Sequence, residues 1–203
     1  MFSERFEEAL AFTDRLHRKQ RRKTSGAPYI AHLLGVAALV IEDGGTEDEA
    51  IAALLHDSLE DQGRYYPGGS PGLAAEIEAR FGGEVRRMVE ALTERSTEES
   101  RRIADKRERW RAHKLAYFNS IRAADFAVRR ISCADSLHNV RSLLSTYRAM
   151  GDQIWTRFAT VRGEDQVWAY RSAAEAFQEA GAGGLAQELI EAVDALDRAI
   201  QVG

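Results

Sequence analysis

Ile51-Ala52-Ala53-Leu54-Leu55-His56-Asp57-Ser58-Leu59-Glu60-Asp61 is an apolar helical run that passes directly into an imidazole and three carboxylates. On a continuous helix, residues four apart share a face. Glu60 is therefore expected one turn above His56, and Asp61 one turn above Asp57. Four such groups on one edge repel and desolvate each other unless something cationic sits among them. A divalent metal is the simplest candidate. Imidazole nitrogen with carboxylate oxygen suits borderline first-row ions such as Mn, Fe or Zn. A His-Asp pair alone reads as a surface pair on a charged helix. The apolar run before it and Glu60-Asp61 after it argue for a site.

Helical periodicity extends outward from this stretch. Upstream, Thr46 is an N-cap with Glu49 completing a capping box, and Gly44-Gly45 closes the preceding helix. That helix starts after the turn Ser25-Gly26-Ala27-Pro28 and runs to about residue 42. Phe6, Ala9, Leu10, Thr13, Leu16 and His17 mark a first helix. Downstream, Pro67-Gly68-Gly69-Ser70-Pro71-Gly72 reads as a loop. Helices are expected over about 73–81, ending at Gly82-Gly83, and then to about 93. A highly charged helical stretch over 98–121 and an amphipathic one over 125–147 follow. Two last helices, about 165–179 and 185–200, flank Gly181-Ala182-Gly183-Gly184. No period-2 strand and no repeat stands out. The expectation is an all-α helical bundle forming one domain over 1–203, with a site-bearing core over about 6–147 and C-terminal helices over about 152–201.

Composition narrows the class. With 203 residues and 44% hydrophobic content, a core can form without disulfides, and the single cysteine, Cys133, can make no internal bridge. A reducing cytoplasm is the expected location. The net charge of -4 gives no overall basic field for long nucleic acid. Local basic clusters can still hold a small anion, since exposed charges act over ~8–10 Å. No stretch approaches the ~20 apolar residues of a membrane span, and the acidic start of the chain does not read as a signal peptide.

Two further elements complete a pattern. His32 follows Pro28-Tyr29-Ile30-Ala31 and opens an apolar helix. Asp135 lies in Ile131-Ser132-Cys133-Ala134-Asp135-Ser136-Leu137-His138-Asn139, inside another, where an aspartate needs a partner or a metal. A lone histidine at such a place reads as a core histidine, and Asp135 with His138 and Asn139 as a hydrogen-bonded cluster. The order H…HD…D carries the signal.

That order, with its surroundings, resembles the HD phosphohydrolases, and in particular the hydrolase domain of RelA/SpoT-type alarmone enzymes and their small stand-alone relatives. The matching stretches are 17–23, 26–32, 52–61, Phe81-Gly82-Gly83-Glu84-Val85 and 134–141, in order between about Phe6 and Leu144. The resemblance implies an all-helical HD fold, a bound Mn ion, and removal of pyrophosphate from the 3′ position of a nucleotide such as ppGpp. Carried over by motif, His32, His56, Asp57 and Asp135 ligate the metal. Glu60 and Asp61 activate or position the attacking water. Arg22 and Lys23 meet substrate phosphate or base, and Asn139 sits near the ribose. Lys114 is expected to face the site with Tyr117, and Tyr170 to stack on the base unless it is simply a core aromatic.

The turn after Arg22-Lys23 is one residue longer than the usual form, and Ser136 stands where many relatives carry a basic residue. The implied partner is a small nucleotide, with guanine and adenine both open; oligomeric state is not legible. Three alternatives stand beside it: another HD activity such as a 5′-nucleotidase or phosphodiesterase, a non-catalytic alarmone binder, and a purely structural bundle. The Glu60-Asp61 pair argues against the first two.

Overall fold

Ten α-helices, two 3-10 turns and one π-turn make up the regular structure of the computed structural model, which describes residues 2–94, 98–158, 162–181 and 183–202. Extended backbone pairs only at an isolated bridge between Arg21 and Pro28 among these residues. The all-α expectation is met.

The centre of the fold is α8 (Phe126–Met150), which buries Ile131, Leu137, Val140 and Leu143. It packs against α2 (Ile30–Glu42), α3 (Glu47–Leu55), α5 (Gly83–Leu92) and α7 (Lys106–Ala123), and against α9 (Gly163–Glu179) and α10 (Gly183–Val202). Helix α1 (Glu4–His17) covers α3, and α4 (Gly69–Phe81) pairs with α5. Helix α3 enters the core because its capping box forms as the sequence indicates. The Thr46 amide donates to Glu49 Oε2 at 2.5 Å, and the Glu49 amide donates to Thr46 Oγ1 at 3.3 Å. Such a cap stabilises a helix by about 1 kcal/mol. Leu54 and Leu55 then carry His56 to the base of a cleft, fully buried behind it.

Several boundaries differ from the sequence reading. Helix α4 begins inside the Pro67–Gly72 stretch read as a loop. Pro71 falls in its first turn, where a missing N–H breaks no bond, and Gly68 (φ 80°) makes the entry. The charged stretch expected over 98–121 is two helices, α6 (Glu98–Arg102) and α7. They separate at Asp105, whose carboxylate accepts the Glu108 amide at 2.8 Å and restarts the helix. A 3-10 turn, Gly151–Arg157, follows α8 and has no clear periodic signal. Of the glycine-rich linker, Ala182 lies outside the described residues, and α10 starts already at Gly183.

The most consequential difference is at the motif itself. Helix α3 stops at Leu55, and Ser58–Gln62 forms a π-turn followed by a 3-10 turn at Gly63–Tyr65. His56 Nδ1–H donates to the Ala53 carbonyl at 2.8 Å, competing for an acceptor that an unbroken helix gives to its own backbone. The wider π-turn re-aims Glu60 and Asp61 relative to His56 and Asp57, so the four do not line one straight edge. No described helix is long and apolar enough to cross a membrane.

Candidate functional site

Three helices converge on one point. Helix α2 delivers His32, the end of α3 delivers His56 and Asp57, and α8 delivers Asp135. Asp135 Oδ1 lies 3.1 Å from His32 Nε2 and 3.6 Å from His56 Nε2. Asp57 Oδ2 lies 3.1 Å from His56 Nε2 and 3.7 Å from His32 Nε2. Tyr29 aims Asp57 by donating from its hydroxyl to Oδ2 at 2.6 Å. Tyr29 was legible only as part of a motif, not as a residue with a task.

The two imidazoles point the same ring atom inward. His56 Nδ1 is held by the Ala53 carbonyl, and His32 Nδ1 meets His138 Nδ1 at 2.9 Å. A carbonyl can only accept, so neutral His56 carries its proton on Nδ1 and presents a bare Nε2. Both Nε2 atoms are buried and without a hydrogen-bond partner among the described residues. Nitrogen lone pairs facing carboxylate oxygens need a positive charge between them. Ligand atoms of His32, His56 and Asp135 lie within 4.8 Å of one another, and this donor set fits a divalent cation. The electrostatics agree. Burial alone would push His56 down, but Asp57 and Asp135 hold it well above its ordinary value. Burial would likewise raise Asp57 and Asp135, yet the adjacent histidines hold both low.

Above this cluster opens a cleft of about 320 Å³, lined by Arg22, Lys23, Glu60, Asp61, Lys114, Asn139 and Tyr170 among others. Every sequence-derived candidate beyond the four central residues is thus on its wall. Asn139 links the two ends. Its amide donates to Asp135 Oδ1 at 2.7 Å, and its carbonyl accepts from Arg22 at 2.6 Å. The hydrogen-bonded cluster expected around Asp135 thus forms through Asn139, while His138 turns to His32. The Arg22 guanidinium also lies over the Tyr29 ring, 5.5 Å from its centroid. The turn carrying Arg22 and Lys23 is fastened by the Arg22 amide to the Ala27 carbonyl at 2.9 Å and by Gly26 at φ 74°.

The two carboxylates of the π-turn differ. Asp61 accepts from Gln20 Nε2 at 2.5 Å, and Gln20 is itself held by His17 at 2.7 Å and by Gln62. Glu60 opens toward the cleft. Desolvation by the walls, then the charges of Glu94, Asp57 and Asp61, push its carboxyl up to about 7, with Lys114 pulling the other way. Lys114 does not stand free: its ammonium is bound by Glu94 at 2.5 Å. Glu94, Gln20 and Tyr29 line the cleft and went unassigned in the sequence. Glu94 follows the end of α5 with no motif around it, so nothing local marks it.

Comparison with known proteins agrees with this geometry. The family described as "HD domain" matches residues 9–164. The human protein named guanosine-3′,5′-bis(diphosphate) 3′-pyrophosphohydrolase MESH1 is 42% identical over 93 residues, 44% of this chain and 48% of that protein. A Synechocystis protein named probable guanosine-3′,5′-bis(diphosphate) 3′-pyrophosphohydrolase is 38% identical over 136 residues, 66% of this chain but 16% of its own length. The chain thus spans about half, or much less, of the curated relatives it matches. A solved structure titled as a metazoan ortholog of SpoT that hydrolyzes ppGpp superposes with a TM-score of 0.70 over 98% of both chains, at 22% identity, a likeness of fold. Since the family match embraces His32, His56, Asp57 and Asp135 and the greater part of the sequence, the chain belongs to the HD domain family.

Proposed function

We propose that this protein is a divalent-metal-dependent hydrolase that removes pyrophosphate from the 3′ position of a guanosine or adenosine nucleotide. The observation that carries the proposal is the pair of buried, partnerless Nε2 atoms of His32 and His56 facing Asp57 and Asp135 beneath an acid- and base-lined cleft. The names of the relatives support the choice of substrate class. The proposal treats residues 1–203 as one unit, because α9 brings Tyr170 to the cleft and α10 packs on α8.

The HD fold implies a divalent metal. His32, His56, Asp57 and Asp135 would hold it, and Mn2+ is the ion proposed. When bound, such an ion acidifies water and polarises a phosphoryl oxygen. The remaining work falls to the protein. Glu60, with a carboxyl near 7, is suited to take the proton of the attacking water. Asp61, fixed by Gln20, positions that water. Arg22, Lys23 and Lys114 place positive charge along the wall where phosphoryl oxygens gain charge. Asn139 reaches the ribose, and Tyr170 offers a face to the base. The bond broken joins the 3′ oxygen to phosphorus, and the 3′ oxygen leaves as the hydroxyl.

The test is a substrate panel with purified protein and Mn2+: ppGpp, ppApp, 5′-mononucleotides and a cyclic dinucleotide, with products separated by chromatography. Pyrophosphate release from the 3′-pyrophosphorylated members, abolished by a chelator, is expected. Turnover confined to 5′-mononucleotides or cyclic dinucleotides would overturn the substrate assignment. Tight binding of ppGpp or ppApp without turnover would replace the enzyme with a binder.

A further inference from the structure

The cleft continues into an overlapping arm of about 450 Å³, which also borders Asp135 and adds Trp110, Phe118 and Gln166 to the lining. The two spaces share Lys23, Lys114, Asn139 and Tyr170, so a ligand anchored at one end reaches the other. The arm is walled by Trp110, Tyr117 and Phe118 from α7, by Phe158, and by Tyr170 from α9. Among these rings, beside Ser136 and Asn139 of α8, sits the neutral polar side chain of Gln166 from α9. The residue is 7% exposed and lines the arm, and its amide makes no side-chain hydrogen bond among the described residues. An amide that is not tied up within the protein and borders the arm keeps both its donor and its acceptor available to a ligand there. Gln166, Ala169 and Tyr170 of α9 lie just beyond residues 9–164, the part of the chain that matches the family.

We infer that the aromatic arm seats the planar base of the nucleotide and that Gln166 reads the base's hydrogen-bonding edge, making it a specificity-determining residue. The inference rests on the proposed nucleotide reaction but concerns a different part of the site. Flat aromatic walls favour a heteroaromatic ring by stacking, which is tolerant of base identity. An amide adds direction, because it offers a donor beside an acceptor. That pattern pairs with adenine, whose N6 donor adjoins a ring-nitrogen acceptor, and also with guanine through N1–H and O6. A carboxylate at the same place accepts only. It matches the adjacent N1–H and N2–H donors of guanine and faces an unpaired acceptor on adenine.

The experiment measures calorimetric binding of ADP, GDP and ribose 5-phosphate to the full chain, alongside pyrophosphate release from ppGpp and ppApp. Wild type is expected to bind at least one nucleoside diphosphate about tenfold or more tightly than the base-free sugar phosphate. Gln166→Glu should shift the guanine-to-adenine affinity ratio toward guanine by about tenfold or more, as expected where a polar edge is read in a closed site. Gln166→Leu should weaken both, with ribose 5-phosphate unchanged. Thermal midpoints report folding of both variants. Should a variant fail to fold, the wild-type comparison with ribose 5-phosphate decides alone: equal affinity overturns the inference, and preference for the base supports it. Folded variants with unaltered affinities and ratio overturn it even if pyrophosphate is released. Gln166-dependent base selectivity without pyrophosphate release supports it while removing the proposed reaction.

Discussion

His32 and His138 meet through their Nδ1 atoms at 2.9 Å, so one proton is shared between two rings of which His32 is wholly buried. Burial, then the neighbouring His32 and Arg22, lower His138 to about 4, so at neutral pH it is uncharged and can accept the His32 proton. That leaves His32 Nε2 bare toward Asp135, the tautomer a metal ligand needs. The pairing depends on Gly35. A Cβ added there would lie 2.3 Å from His138 Cδ2 and Nε2, displacing the ring. Gly35→Ala should therefore weaken divalent-cation affinity about 10–100-fold and cost about 1–3 kcal/mol of stability. Adding His138→Ala should restore stability but not affinity. Titration calorimetry and urea unfolding separate the two effects, and a Gly35→Ala protein with wild-type affinity would refute the linkage.

If the four-residue cluster holds a cation, the cation must stabilise the fold, since the unfolded chain brings no such donors together. At a hundred times its dissociation constant a ligand adds about 2.7 kcal/mol. For a chain of this size that corresponds to a rise of roughly 5–10 °C in Tm. The rise should appear on adding Mn2+, reverse with chelator, and be lost in Asp135→Asn. A Tm that ignores Mn2+ in wild type would remove the metal from the site.

Asp165 fastens the two helices that wall the aromatic arm. Its buried Oδ1 accepts from Arg107 Nε at 2.7 Å and from Arg111 Nη2 at 2.8 Å, tying α7 to the start of α9. Burial would raise its carboxyl, but the hydrogen bonds from Arg107 and Arg111 hold it below the usual aspartate value. A depressed folded-state pKa gives stability that is present above the unfolded value of ~3.9 and is lost as pH falls through the lower folded one. Asp165→Asn should cost about 1–3 kcal/mol at neutral pH. Its disadvantage should shrink as pH falls below about 4, where the wild-type carboxyl takes up its proton. A constant difference between the two unfolding curves across that range would sink the assignment.

What the sequence made legible follows from locality. The Thr46–Glu49 cap, the Gly26 turn and the apolar stripe of α8 each depend on residues within a few positions, and each formed as read. The convergence of His32, His56, Asp57 and Asp135 was legible only through their order, since nothing local brings residues 32 and 135 together. The helix break at His56 escaped because it arises from a side chain bonding the backbone of its own turn, which periodicity does not register. Gln20, Glu94 and Gln166 escaped for another reason. Each is an ordinary polar residue on a helix edge or connector, and its meaning comes from what tertiary packing sets opposite it: Asp61, Lys114 and an aromatic-lined arm respectively.

Glu94 gives the proposed base its setting and supplies the sharpest pH prediction. If Glu60 takes a proton from water, kcat/KM must rise with pH through its apparent pKa, because only the ionised carboxylate accepts. After desolvation, the Glu94 charge is the foremost influence raising Glu60 to about 7, while Lys114, held by Glu94 at 2.5 Å, lowers it. A bound cation would lower the whole limb, so the informative quantity is the shift between variants at one metal concentration. Glu94→Gln removes a negative neighbour and releases Lys114, and both changes favour the Glu60 carboxylate. Its ascending limb should move to lower pH. Lys114→Met removes the opposing cation and should move the limb to higher pH. Glu60→Gln should abolish the limb and reduce kcat by about 10²–10⁴-fold. Glu94→Gln and Lys114→Met limbs that coincide with wild type would show that Glu60 is not the group titrating.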